Sequence, residues 1–205
     1  MAGILKVDQV QSDSNLAFNI AGSNVAFMNA TSLQMVASNV SLAGTNVITN
    51  GKLVTSAQPT GAVLQVVQVV KTDQFTTATS GFVDITGLSA SITPSSASNK
   101  ILVLATITAG AGLNNNLGFN LVRNSTNINQ STGSNSNRTL TQNYGTAYQS
   151  ITSPITFLDS PSTTSATTYK IQMDSMGETT CKINTRATDT YYGGVSQITL
   201  MEIAA

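Results

Sequence analysis

The sequence predicts an all-β protein in two parts. An N-terminal segment of short-strand repeats, several chains intertwined as a β-helix or prism, precedes a β-sandwich of jelly-roll type. Three observations predict this. No stretch offers a helical period, and Thr, Val, Ile and Ser dominate, residues that suit a pleated, half-buried surface. Residues 15–51 divide into five short units, each a few strand-like residues opened by Asn or Ser. Beyond residue 61 the apolar runs lengthen into about eight strands at short spacing, the pattern of a sandwich.

Residues 1–14 hold a short apolar run, Ile4, Leu5 and Val7, and then the polar QVQSDS. This reads either as a segment that docks onto a larger assembly or as the first strand of the array, since termini stay loose until something ties them down. The array, residues 15–51, opens its units at Asn15, Asn24, Ser32, Asn39 and Asn46, with a period drifting from nine residues to seven. Leu16, Phe18 and Ile20 alternate with Asn15, Ala17 and Asn19; Val25 with Phe27, Leu33 with Met35 and Val40 with Leu42 continue the two-residue period of a half-buried strand. Strands this short cannot bury their apolar faces alone, and about five units are too few for a self-standing solenoid. The expectation is several identical chains wound round a shared axis, with those nine apolar residues as the oligomer core; the competing reading is a meander packed on the following domain. Residues 52–61, KLVTSAQPTG, break the repeat at Pro59 and Gly61 and read as a linker.

Residues 62–205 form the expected sandwich. VLQVVQVVKTDQFTTA supplies one long strand or two joined by a bend. Phe82, Ile85, Leu88 and Ile92 are the apolar positions of the next, and the segment Pro94 to Asn99 turns the chain. Ile101, Val103, Ala105 and Ile107 alternate with Leu102, Leu104, Thr106 and Thr108, and a run apolar on both faces predicts a strand buried between two layers. LGFNLVRNSTNINQ reads as a hairpin around Arg123–Thr126. Residues 129–146, rich in Ser, Asn, Thr and Gln, are either a long loop or a pair of exposed strands. TYKIQMDSM puts Tyr169, Ile171 and Met173 on one face, and in the closing strand Ile198, Leu200 and Glu202 alternate with Thr199, Met201 and Ile203.

Composition narrows the function. A hydrophobic share of 40% is enough to form a core. Charged residues are only 9%, nine basic against nine acidic, so the surface is neutral and polar and shows no basic patch for nucleic acid. No basic membrane-surface helix is visible and no apolar run approaches a membrane span, which argues against membrane insertion. MAGILKVDQ lacks the charged region and long apolar core of a secretory signal, so the expectation is assembly in a cytosol. There is no His, which removes the commonest general base and metal ligand. With one cysteine, Cys181, no intrachain disulfide and no multi-cysteine zinc site can form.

Candidate chemistry is sparse. Asp159, Asp174, Glu178 and Asp189 are the acids from which a polysaccharide-cleaving pair would come, but each lies in or beside a turn, where Asp caps backbone groups. Asp73 and Asp84 stand outside any calcium-type spacing. The expectation is therefore a non-enzymatic chain without cofactor or metal. Tyr144, Tyr148, Tyr191 and Tyr192 fall in or near polar loops, where a ring can cover a sugar face while neighbouring amides bond its hydroxyls. With Arg138 they are the candidate receptor contacts; packing at strand ends or subunit contacts is the alternative use. Arg123, Arg138 and Arg186 either meet anionic sugars or carboxylates or are simply solvated.

Two stretches carry a family resemblance. ILKVDQVQSDSNLAFNIAGSNVAFMNATSLQM resembles the N-terminal module of virion structural proteins in marine, cyanophage-like tailed bacteriophages. VLQVVQVVKTDQFTTATSGFVDITGLSASITPSSASNKILVLATIT is similar to the core of phage fibre-tip and appendage domains, where a DITGLS-x-SITP-x-S-x-x-NKILV pattern recurs, and SQITLMEIAA fits the last strand of such domains. Together these cover about half the chain, while residues 112–196 match no quoted pattern. The resemblance implies a homotrimeric fibre or decoration protein of the virion, assembled in the bacterial host cytoplasm. Its N-terminus would bind other virion proteins, and its sandwich would meet the outside medium or a host surface glycan.

Overall fold

The computed structural model describes residues 39–42, 45–49, 52–53, 57–132, 138–146, 148–176, 180–189 and 191–205, the first three stretches by backbone alone. The chain divides into two units, Met1–Ala37 and Ser38–Ala205, and every described residue belongs to the second. The attachment segment 1–14 and the oligomer-core positions Leu16, Phe18, Ile20, Val25, Phe27, Leu33 and Met35 lie outside the described residues. Val40 and Leu42 fall on β1 (Asn39–Leu42), which pairs antiparallel with β2 (Thr45–Thr49); β2 pairs in turn with β3 (Lys52–Leu53). This small meander is made within one chain, and β3 uses the first two residues that the sequence assigns to the linker.

The remaining strands build two antiparallel sheets around one core. The six-stranded sheet contains β4 (Val63–Lys71), β5 (Phe75–Thr77), β7 (Lys100–Ala111), β11 (Ile151–Asp159), β13 (Cys181–Ile183) and β14 (Ser196–Ile203). In it β7 is central, with β11 along one side and β14 and then β13 along the other. The five-stranded sheet runs β10 (Leu140–Tyr144), β8 (Asn115–Arg123), β12 (Thr167–Asp174), β6 (Val83–Ile92), with β9 (Thr126–Ile128) also on β8. Seven of the eight sandwich strands of five or more residues follow the apolar runs; β10 lies in the polar stretch 129–146, and β5, β9 and β13 are three residues each. The first long run is two strands, β4 and β5, joined by a bend. The hairpin around Arg123–Thr126 forms with Asn124 in the left-handed region, φ 54°.

Alternation decides what enters the core. Tyr169, Ile171 and Met173 point inward from β12, Ile198 and Leu200 from β14, and Ile101, Val103, Ala105 and Ile107 from β7, all buried in one cluster with Phe119 and Leu121. In β6, Ile85 and Leu88 are both buried although three residues apart. A bulge reconciles them: the pairing with β12 slips between Lys170 and Gln172, and Gly87 takes φ 83°, a conformation that costs glycine no Cβ clash.

Two expectations need correction. The stretch 129–146 is not wholly exposed, because Leu140–Tyr144 pairs with β8 and buries Gln142 and Tyr144; two inward polar side chains disguise a core strand. And β7 is buried between layers on one face only. Its even-numbered residues lie on the outer face of the six-stranded sheet. There Val66, Met201, Leu102 and Leu158 form a row across β4, β14, β7 and β11, followed by the row Gln68, Thr199, Leu104, Thr156.

The sandwich has a near end and a far end. At the near end β4 begins beside the end of β14, tied by Gly61 N–H to the Ala204 carbonyl at 2.8 Å and Ala204 N–H to the Ala62 carbonyl at 2.9 Å. Strands of this length put the far end, where β7 finishes and β11 and β14 begin, about 25–30 Å away.

Candidate functional site

At the far end the segment between β10 and β11 meets the segment between β13 and β14. The second is rooted by Asn184. This residue sits in the left-handed region, φ 65°, which its short polar side chain tolerates, and it is buried. Its Nδ2 donates to the Lys71 carbonyl at 2.8 Å and the Asp73 carbonyl at 2.9 Å, and its Oδ1 accepts from Ser196 Oγ at 2.7 Å. Its N–H donates to the Thr108 carbonyl at 2.8 Å, and its own carbonyl accepts from Gly194 N–H at 2.7 Å. The loop then lies directly on β7 at Gly110: a Cβ there would stand 2.6 Å from Arg186 Cα and 2.7 Å from the Thr185 carbonyl oxygen. Thr185 Oγ1 donates to the Asp189 carbonyl at 3.1 Å. The loop is therefore held at its base by matched polar groups and a close backbone approach, not by apolar burial.

Arg186 stands at the centre of what this base carries. Its Nε donates to Asp189 Oδ1 at 2.6 Å, and the same oxygen accepts Tyr191 N–H at 3.1 Å. The guanidinium lies 4.3 Å from the centroid of the Tyr192 ring and 5.7 Å from that of Tyr148. Tyr191 and Tyr192 are tilted neighbours with centroids 5.9 Å apart. Tyr148 is 68% exposed, Tyr191 85% and Tyr192 60%. The hydrogen bond from Arg186 is the main cause that holds the Asp189 carboxyl below its ordinary value, and the same bond raises the guanidinium, so the pair is doubly ionised and close to neutral overall. The cation over its face holds the Tyr192 ring beside Arg186. The result is three accessible aromatic faces with phenol hydroxyls, around a fixed arginine.

Three of the five sequence-predicted contacts, Tyr148, Tyr191 and Tyr192, thus come together. Tyr144 is a correction. It is fully buried, its hydroxyl donates to the Ala109 carbonyl of the opposite sheet at 2.9 Å and also bonds Gln142 Oε1, and burial pushes its phenol pKa far up. A ring with no exposed face cannot stack on a ligand. Arg138 is engaged elsewhere, its Nη2 3.2 Å from Asp174 Oδ2 and its guanidinium 5.7 Å from the Phe82 centroid. Sequence reasoning weighed Arg186 only as one of three arginines, and its centrality depends on Tyr148, which arrives from another strand pair. Asp189, three residues after Arg186, was the local hint of an ion pair.

The acids are drawn into structural bonds. Asp159 accepts from Arg123 Nη1 at 2.8 Å and Tyr169 Oη at 2.6 Å. Asp174 Oδ1 accepts Gly81 N–H at 3.1 Å and Met176 N–H at 2.8 Å. Asp84 bonds Lys170 and Gln172, and Asp73 bonds Lys71. Glu178 lies outside the described residues. Among the described residues no group of three His, Cys, Asp or Glu side chains is placed to hold a metal. Glu202 is a second buried acid at the near end, where it closes the sandwich by accepting bonds from Gln65, Ser95 and Asn99. Its inward parity was legible in the alternation with Ile198 and Leu200.

No protein-family model matches the chain, and no curated protein sequence matches it. Among solved structures it is similar to infectious bursal disease virus of the Gx strain (15% identity, 67% of this chain and 30% of that chain, TM-score 0.33) and of the Gt strain (12% identity, 68% and 42%, TM-score 0.34). A third is the VP2 subviral particle of the same virus (13% identity, 69% and 38%, TM-score 0.32). The chain spans less than half the length of these proteins, and likeness at such scores carries no argument about role.

Proposed function

We propose that this chain is a non-enzymatic structural protein of a phage virion, a trimeric fibre or fibre-like appendage held by its N-terminus and displaying a β-sandwich. The N-terminal and DITGLS-type sequence resemblances support this reading, together with a sandwich whose first strand is entered at the near end, beside Ala204. A capsid decoration or head-fibre protein is the same architecture at another place on the particle. A second reading, contact with a host surface glycan, is favoured by one observation: at the far end two exposed tyrosines, Tyr148 and Tyr192, lie against Arg186, with the exposed Tyr191 beside Tyr192. Tyrosine faces suit the apolar face of a sugar ring, and their hydroxyls suit its polar rim.

Density for this chain in a cryo-EM map of the parent virion tests the first reading, and absence from purified particles overturns it. A glycan array probed with the full chain tests the second. Saturable, sugar-specific binding that Tyr192→Ala reduces at least tenfold is expected. A flat array removes the glycan contact and leaves the appendage.

A further inference from the structure

The outer face of the six-stranded sheet has no partner among the described residues of the sandwich over three successive rows. One row, Val66, Met201, Leu102 and Leu158, crosses four strands without a polar side chain, and Val66 and Leu158 are 55% and 47% exposed. The two rows beyond it hold only Gln, Thr, Leu, Val and Pro, so three rows carry no charge. Leu104, Pro154 and Met201 border a shallow depression of about 400 Å³ on this face. On β7 the odd-numbered face is covered by the core and the even-numbered face is covered at Thr108 and Gly110 by the Arg186 loop, which leaves Leu102, Leu104 and Thr106 only half-buried.

We infer that this face is an interface with a second copy of the chain, sheet against sheet. Size is the first argument. Four strands at ~4.8 Å spacing over the eight residues that β14 contributes give a projected area of about 500 Å² per copy, so a pair buries about 1,000 Å², the lower bound for a specific interface. Charge is the second. An uncharged face meeting its own copy buries no unpaired ion, whereas nucleic acid would require lysine or arginine here. Composition is the third. Gln68 and Gln197, in the two successive rows on the far-end side of the apolar one, would be left unsolvated against lipid, but another copy offers them amide and hydroxyl partners; Gln68 already donates to Thr199 Oγ1 at 2.9 Å. The inference shares with the proposed function only the premise that copies associate.

The single native cysteine, Cys181, is buried, so one introduced thiol can be followed alone. The full chain carrying Leu158→Cys is labelled with a maleimide beside one carrying Tyr191→Cys, at micromolar concentration, with mass read by light scattering. The expected result is an oligomer in which the Leu158→Cys thiol reacts at least tenfold more slowly than the Tyr191→Cys thiol. The protection should be lost when Val66→Glu is added. Equal labelling rates in an oligomer overturn this inference and leave the trimer intact. A monomer with equal rates overturns both. A monomer with a protected thiol overturns the inference by assigning the covering to the chain's own residues 1–37.

Discussion

Glu202 offers the sharpest test of what holds the sandwich together. It lies on the core side of β14 and is 1% exposed. Its carboxylate accepts Ser95 N–H and Ser95 Oγ at 2.7 Å each, Asn99 Nδ2 at 2.6 Å and Gln65 Nε2 at 2.5 Å, so it ties β4 and the 93–99 turn to the last strand. Hydrogen bonds to a charged acceptor contribute ~1.5–3 kcal/mol each, but the four share one desolvated group and do not add. Removing the acceptor in Glu202→Ala strands the buried Asn99 amide and the Ser95 N–H, for a cost of about 3 kcal/mol. For a domain of this size that is a fall of about 10 °C in melting temperature, read by circular dichroism. Glu202→Gln keeps one acceptor oxygen and should cost about half as much.

The pH dependence has a definite sign. Burial raises the Glu202 pKa, but the bonds from Asn99, Gln65 and Ser95 lower it by more, so the folded value lies below the ordinary 4.5. A depressed folded pKa contributes stability that is complete above the unfolded value and drains away as pH falls through the folded one. The gap between wild type and Glu202→Gln should therefore be widest near neutrality and narrow below about pH 4. An alanine variant melting within 2 °C of wild type at neutral pH, or a gap that stays constant down to pH 3, would refute the reasoning.

Two further outcomes follow from the far end. Tyr144→Phe should lower stability by ~1–2 kcal/mol, through the lost bonds to Ala109 and Gln142, with host adsorption unchanged; the reverse pattern in melting and adsorption assays would return Tyr144 to the contact surface. Asn184→Ala removes three side-chain hydrogen bonds and leaves an alanine at φ 65°, so denaturant unfolding should show a loss of about 3 kcal/mol, and a loss below 1 kcal/mol would mean that the loop is held by something else.

Where a strand keeps a strict two-residue period, its sequence already says which side chains are inside. Tyr169, Ile171 and Met173, and Ile198, Leu200 and Glu202, could be assigned a face from alternation alone, because successive residues of a strand point to opposite sides. The same logic failed at β10, where Gln142 and Tyr144 face inward and look like loop residues, and it stumbled at Ile85 and Leu88, whose spacing makes sense only with the bulge at Gly87.

The chain by itself therefore determined its class, the faces of its strictly alternating strands and the absence of histidine chemistry, all of which depend on neighbours in sequence. Tertiary structure alone decided the rest. Whether an exposed-looking tyrosine is a contact or a core residue depends on which strand crosses it: Tyr144 is covered by β7, while Tyr148 reaches the Arg186 loop from a different strand pair. The uncharged face of Val66, Met201, Leu102 and Leu158 likewise exists only once β4, β14, β7 and β11 lie side by side. Such rows are set by strand register between distant segments, and a period read along one segment carries no information about its register with another.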